Sequence, residues 1–262
     1  MNNNNTNPLP GRVQRIYSVW YRHFRVYTKN LLSNGFPPFL EPLIFLAGMG
    51  LGLNQYISQM DGVPYIRFLS MGLLVTTAMF TASFECSFGT FVRMEFDKVY
   101  DGMIAAPMSV DDLLTGEMLW AGTKGLFFTF AVLCVMLVFR TIPPGTILLA
   151  PLVGFITGVM FAAISLFITY FVQDINQFNF YFTGVLSPMF FFSGVVFPLS
   201  KLPAFIRPIS EIFPLTHSVR LIHSLYFGKF TGIQLYDLGF ICMFTAIFGH
   251  FAIKNLKKRL ID

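Results

Sequence analysis

The chain has 262 residues, of which 55% are hydrophobic and only 12% charged, with 33 phenylalanines. A soluble domain carries about twice that charged fraction, so little is left from which to build a soluble catalytic domain. The net charge of +5 is not a nucleic-acid signature, because the basic residues cluster beside apolar runs, where membrane orientation accounts for them.

Several nearly uncharged runs are long enough to cross about 30 Å of hydrocarbon. The expected fold is an all-α polytopic membrane protein with six transmembrane helices. Cys86, Cys134 and Cys242 are isolated within apolar runs, which argues against a disulfide framework or a thiolate metal site. No cleavable signal peptide is expected, since the first apolar run begins near Phe36 without a small-residue cleavage pattern behind it.

Residues 1–11 are Asn-rich with two prolines and are expected to form a disordered tail. Residues 12–33 differ. Val13, Ile16, Tyr17, Trp20, Phe24, Tyr27 and Leu31 step by threes and fours, with Arg12, Arg15, Arg22, Arg25 and Lys29 on the other face. This pattern predicts a basic amphipathic helix lying in the membrane surface. Pro37 and Pro38 are expected to turn the chain into a first span over about 39–56, which carries a GxxxG at Gly48 and Gly52. That spacing permits close helix contact, and a lipid-facing glycine cluster fits it equally.

The remaining spans are expected at about 68–92, 117–139, 146–172, 178–197 and 235–253. Six spans place both termini on one side. Eleven Lys and Arg flank the spans there, against six on the other side, so the termini are expected to be cytoplasmic.

Between spans two and three, Phe96, Val99, Tyr100 and Met103 repeat at i, i+3, i+4 and i+7, while Glu95, Asp97, Lys98 and Asp101 take the other surface. That is a short amphipathic helix, broken by Pro107. A helix resting on the bilayer and a docking helix for a cytoplasmic partner both fit it. Ser109 followed by Asp112 then reads as a capping start for the next helix.

After span five, Pro198, Pro203, Pro208 and Pro214 punctuate a half-apolar stretch through residue 228. Proline removes a backbone donor, so a continuous span is excluded, and residues 198–228 are expected to cap the external face. Pro214 to Gly228 fits a short helix, with His217, Arg220 and His223 on a polar face opposite Leu215, Val219, Ile222 and Tyr226. That face is a wet outer surface or a contact for a sugar or anionic headgroup. The two histidines lie about 120° apart on a helix, so they do not converge on a metal. Gly194 is expected to loosen the end of span five.

Two charges fall at membrane depth, Glu85 in span two and Lys124 in span three. Intramembrane charges are costly and usually paired or functional. We read Glu85 and Lys124 as a pair, the alternatives being a lysine that snorkels to the surface and a protonated glutamate held in the packing. No phosphate loop GxxxxGK[ST] is present, and the nearest approach, Gly116 to Lys124, has the wrong spacing. Energy therefore comes from an ion gradient, with Glu85 as the proton site, or from a separate ATPase. No catalytic residue, cofactor or metal is expected in this chain.

The loop from Phe91 to Gly125, FVRMEFDKVYDGMIAAPMSVDDLLTGEMLWAGTKG, and the segments FFFSGVVFPLSKLP and PLTHSVRLIHSLYFG, which lie between Phe190 and Gly228, resemble the membrane subunit of ABC-2 type transporters, most closely the NodJ-like lipooligosaccharide exporter permeases. The resemblance covers essentially everything after the N-terminal tail. It implies a permease of the bacterial inner membrane that dimerises with a second copy of itself and binds two copies of a cytoplasmic ATPase, which would hold the ATP and magnesium. It implies that residues 12–33 are the connecting helix and that residues 94–104, from Met94 to Ile104, are the coupling helix seated in the ATPase. The external segment would form re-entrant helices. The implied cargo is an amphipathic lipid-linked glycan, with a drug or another lipid as the alternative.

Overall fold

In the computed structural model, residues 10–53, 56, 57 and 59–261 are described; the expected N-terminal tail lies almost entirely outside them. The fold is helical. Helix α1 covers Arg12–Lys29 and α2 covers Leu31–Leu53, followed by a two-stranded turn of β1 (Gln59–Met60) and β2 (Val63–Pro64). Helix α3 (Tyr65–Phe84) continues through two wide π turns, Glu85–Gly89 and Val92–Phe96. Then come α4 (Val99–Ile104), α5 (Val110–Val138), α6 (Ala150–Phe171), α7 (Phe178–Tyr181), α8 (Ser187–Phe192), α9 (Arg207–Ile212), α10 (Pro214–Phe227) and α11 (Ile233–Ile261).

Among the described residues, five helical stretches are long and apolar enough to cross a membrane: 31–53, 65–96, 110–138, 146–171 and 233–261. This is a membrane-embedded polytopic chain. The run expected as a fifth span over 178–197 is helical only from Phe178 to Phe192, with a π turn at Phe182–Leu186. Fifteen residues reach about 22 Å at 1.5 Å per residue, short of a full hydrocarbon core. The helix stops because Gly194 takes a φ of +85° and turns the chain inward. Val195 then lies against Gly72 of α3, so close that a Cβ on Gly72 would sit 2.8 Å from the Val195 Cα. The segment after this helix thus dips back into the bundle.

Two further expectations are corrected, and of the two readings of Gly48 and Gly52 the one without close helix contact is met. Pro37 and Pro38 do not turn the chain; α2 runs through them and through Pro42. The chain break falls instead at Asn30, and in an apolar surrounding a helix is the cheapest way to satisfy the rest of the backbone. The α1 helix does not simply rest on the membrane. Val19 and His23 are buried against α5, and Gly116 of α5 is where Val19 fits, since a Cβ there would lie 2.6 Å from the Val19 Cβ. Val13, Tyr17, Tyr21 and Phe24 face outward. Finally, Gly48 and Gly52 have open space around them, and the close helix contact is made elsewhere. Gly122 and Gly125 of α5 meet Gly154 and Gly158 of α6, where a Cβ on Gly125 would lie 2.6 Å from the Gly154 carbonyl. Small residues let backbones approach where apolar surface alone gives no preference for one contact over another.

Candidate functional site

The charges expected at membrane depth meet, together with others. Lys124 Nζ donates to Glu85 Oε2 at 2.8 Å, and Arg93 Nη1 donates to Glu85 Oε1 at 2.8 Å. The second arm of Arg93 reaches Glu117 Oε2 at 2.7 Å. Glu117 is fully buried and also accepts from the Tyr100 hydroxyl at 2.6 Å, with His23 Nε2 2.9 Å from the same oxygen. One network therefore joins α1 through His23, the end of α3 through Glu85 and Arg93, α4 through Tyr100, and α5 through Glu117 and Lys124. Arg93 bridges two carboxylates with a planar fork, geometry that a lysine cannot match. Burial, and then the Glu117 carboxylate beside it, push the Tyr100 hydroxyl up, so it stays a neutral donor.

His23, Glu85 and Glu117 lie close enough to converge on a cation, their ligand atoms all within 4.8 Å of one another. Arg93 and Lys124 already supply the positive charge at those oxygens. Sequence spacing pointed to Glu85 and Lys124 but not to Arg93, Glu117 or His23. The first two read as span-end charges and the last as part of a surface helix; the contact of the α3 run with α5 joins Arg93 to Glu117, and the contact of α1 with α5 brings in His23.

The segment expected as one coupling helix over 94–104 is divided. The α3 run ends in the π turn at Phe96, Lys98 takes a φ of +51°, and a new helix, α4, begins at Val99. The division lets Met94 and Tyr100 both point inward, with 4% and 1% exposure, while Phe96, Asp97, Lys98, Asp101 and Pro107 are exposed. Val99, Met103 and Ile104 are half-buried. Glu95 pairs with Arg259 of α11 at 2.9 Å and faces Lys98 at 3.7 Å. Ser109 then caps α5, accepting from the Asp112 amide at 3.2 Å.

Two hollows flank the network. A polar chamber of about 620 Å³ is lined by Arg22, His23, Tyr27, Asn34, Glu85, Arg93 and Lys124 among others. An apolar cleft of about 450 Å³ runs between α2, α3 and α8, with Phe45, Phe80, Phe190 and Phe191 in its walls. Pro37, Pro38, Thr81 and Phe84 belong to both linings.

The histidines expected on a wet outer face do not form one. His217 is fully buried, its Nδ1 2.7 Å from Asp237 Oδ1 and its Nε2 3.1 Å from the Glu211 carbonyl, and its ring stacks on Phe240. Arg220 pairs with Glu211 and lies 3.5 Å from Asp237. His223 packs edge-on against Phe68 of α3. The helix wheel of α10 could not show that α11 would bring a carboxylate to this face. Pro198 leads into a single turn at Leu199–Lys201, and Pro214 starts α10. Gly194, Pro198, Pro214 and His217 are thus buried parts of the cap rather than exposed contacts.

The ABC-2 type transporter profile matches residues 14–227. The chain belongs to the ABC-2 type transporter family. Members of this family work with cytoplasmic ATPase subunits, and the ABC-2 match covers both the buried network and the cap. Over 254 residues the chain is 30% identical to Nodulation protein J of Sinorhizobium fredii, covering 97% of each. It is 31% identical over 253 residues to Nodulation protein J of Rhizobium leguminosarum bv. viciae, covering 97% of this chain and 98% of that one. More distantly, it is 22% identical over 176 residues to the inner membrane transport permease YadH of Escherichia coli, about two thirds of each.

Proposed function

We propose that this ABC-2 chain is the transmembrane permease of an ATP-driven exporter, powered through α4 by a separate cytoplasmic ATPase that binds the ATP and magnesium. The observation that carries this reading is the route from an exposed tip to the membrane interior. Phe96, Asp97, Lys98 and Asp101 are free to meet a partner, while Tyr100, two residues from Lys98, bonds Glu117 of α5 and through Arg93 reaches Glu85 of the α3 run. A push on the tip is delivered to α3, α5 and α1 together. Two copies of the permease and two of the ATPase form the working unit, in the bacterial inner membrane. The short helix from Phe178 to Phe192 supplies the fifth of six crossings, the bilayer thinning around it, with both termini cytoplasmic and the cap outside.

The cargo fits an amphipathic lipid-linked glycan of the lipooligosaccharide kind. The support is chemical. Glu85 and Glu117 together balance Arg93 and Lys124, so the chamber offers hydrogen-bonding groups rather than a large net charge, and the adjoining cleft offers aromatic walls. A polyhydroxylated head with an acyl chain matches both. An ion-coupled transporter using Glu85 is disfavoured, since protonating Glu85 would leave two cations without a shared partner.

Affinity purification of the full chain from native membranes tests the reading. A stoichiometric Walker-motif ATPase is the expected companion. A permease that moves cargo in vesicles with no ATPase present would refute it.

A further inference from the structure

The four basic residues near the end of α11 served the sequence reading only as an orientation signal. Three of them fit that role, but Arg259 does not. Its side chain is 21% exposed, and both terminal nitrogens of its guanidinium are engaged. One arm, Nη1, donates to the carbonyls of Thr169 at 2.9 Å, Tyr170 at 3.2 Å and Val172 at 2.7 Å. These belong to the last turn of α6 and the residue after it, where helical carbonyls have no partner of their own and a cation is favoured by the helix dipole. The other arm, Nη2, donates to Glu95 Oε1 at 2.9 Å. The guanidinium carbon also lies 5.8 Å from the Phe91 ring centre. Ala252 and Leu256, both fully buried, hold this stretch of α11 against the bundle. By contrast, the Lys257–Asp111 pair is half exposed on both sides and 3.3 Å long, the kind of surface contact that contributes little.

Glu95 sits in the π turn immediately before the exposed tip at Phe96–Lys98. On the other side of the tip, Tyr100 is anchored to Glu117. The tip thus has two roots, one in the buried network and one in Arg259.

We propose that Arg259 is a positioning residue for the coupling segment: it clamps Glu95 to the cytoplasmic ends of α6 and α11, so that movement of the tip is passed to those helices as well as to α3 and α5. This rests on the reading of α4 and its tip as the coupling element. A lysine in its place would keep the charge but not the fork that serves the carboxylate and the carbonyls at once.

Amide hydrogen exchange on the full chain in nanodiscs tests the clamp without any ATPase, so its failure is separate from failure of the transport reading. Arg259→Gln and Glu95→Gln should each speed exchange across residues 92–104 by about tenfold, the loss of one charge-assisted hydrogen bond, with residues 110–138 unchanged. Arg259→Lys, which keeps the charge but not the fork, should recover only part of the protection at 92–98, a rescue that mere filling of space by the Arg259 side chain would not give. Unchanged exchange at 92–104 in both Gln variants, loosening spread evenly over the chain in Glu95→Gln, or a Lys variant no better than Gln would each overturn the proposal. Should Arg259→Gln fail to insert, Glu95→Gln decides alone, because it leaves the α6 carbonyls capped.

Discussion

His217 and Asp237, twenty residues apart on α10 and α11, face each other at 2.7 Å with neither side chain exposed to solvent. The second ring nitrogen of His217 faces the Glu211 carbonyl, so both neighbours of the ring are acceptors. That geometry calls for a hydrogen on each nitrogen, an imidazolium whose charge Asp237 balances. Arg220 and Glu211 complete this cluster of α10, α11 and the segment before α10. Ring nitrogen shifts of His217 in isotopically labelled protein should show the doubly protonated form, and a single neutral tautomer would contradict the arrangement. Asp237→Ala should lower stability by about 3–5 kcal/mol, because it leaves a buried cation without its partner. Thermal unfolding in detergent reads this directly.

Glu85 and Lys124 should respond unequally to truncation. Removing Lys124 leaves Glu85 with Arg93, whereas removing Glu85 orphans Lys124 and weakens the hold on Arg93. Glu85→Leu is therefore expected to cost about 3–5 kcal/mol and Lys124→Met clearly less, measured as unfolding midpoints. For the same reason, exchanging the two charges should fail to restore stability, since a lysine at 85 would face Arg93.

Exposed residues at the tip of the coupling segment should separate partner binding from folding. Replacing Phe96, Asp97, Lys98 and Asp101 together with Ala removes little that is buried, so unfolding midpoints should shift by under about 1 kcal/mol. Co-purification of the ATPase, or export coupled to its turnover, should fall at least tenfold. Intact coupled export in this variant would show that force enters elsewhere.

The glycines divide cleanly. Gly154→Val places a side chain against Thr129 and the Gly125 carbonyl, and Gly158→Val meets Gly122. Each should cost more than about 1–3 kcal/mol of packing strain and reduce the yield of folded protein. Gly48→Ala and Gly52→Ala meet nothing within 4 Å and should leave yield and melting unchanged in the isolated chain.

How much of this was legible in the sequence depends on how local the signal was. The long apolar runs are local, and the membrane class follows from them; the proline-rich stretch after 197 was also readable, although the helix before it ends earlier, at Gly194. The pair of Glu85 with Lys124 was also readable, because each charge is isolated at similar depth on consecutive spans. Arg93 and Glu117 were hidden because a charge near a span end has an ordinary explanation there. Asp237 was hidden for a similar reason, lying at the very start of the last span. The division at Lys98 was hidden because the i, i+3, i+4, i+7 pattern assumes a continuous helix. What interrupts it is a long-range bond, Tyr100 to Glu117, that periodicity does not record.

Three prolines in α2 have a mechanical consequence. Pro37, Pro38 and Pro42 each lack the amide that would bond the carbonyl four residues back, so two consecutive rungs and a third nearby are absent from that helix. Pro37 and Pro38 are also part of the partition between the polar chamber and the apolar cleft. The dividing wall is thus built in part from a stretch of helix that lacks three of its backbone bonds. On the proposed reading of the cargo, its head and its tail would lie on opposite sides of this weakened stretch of helix.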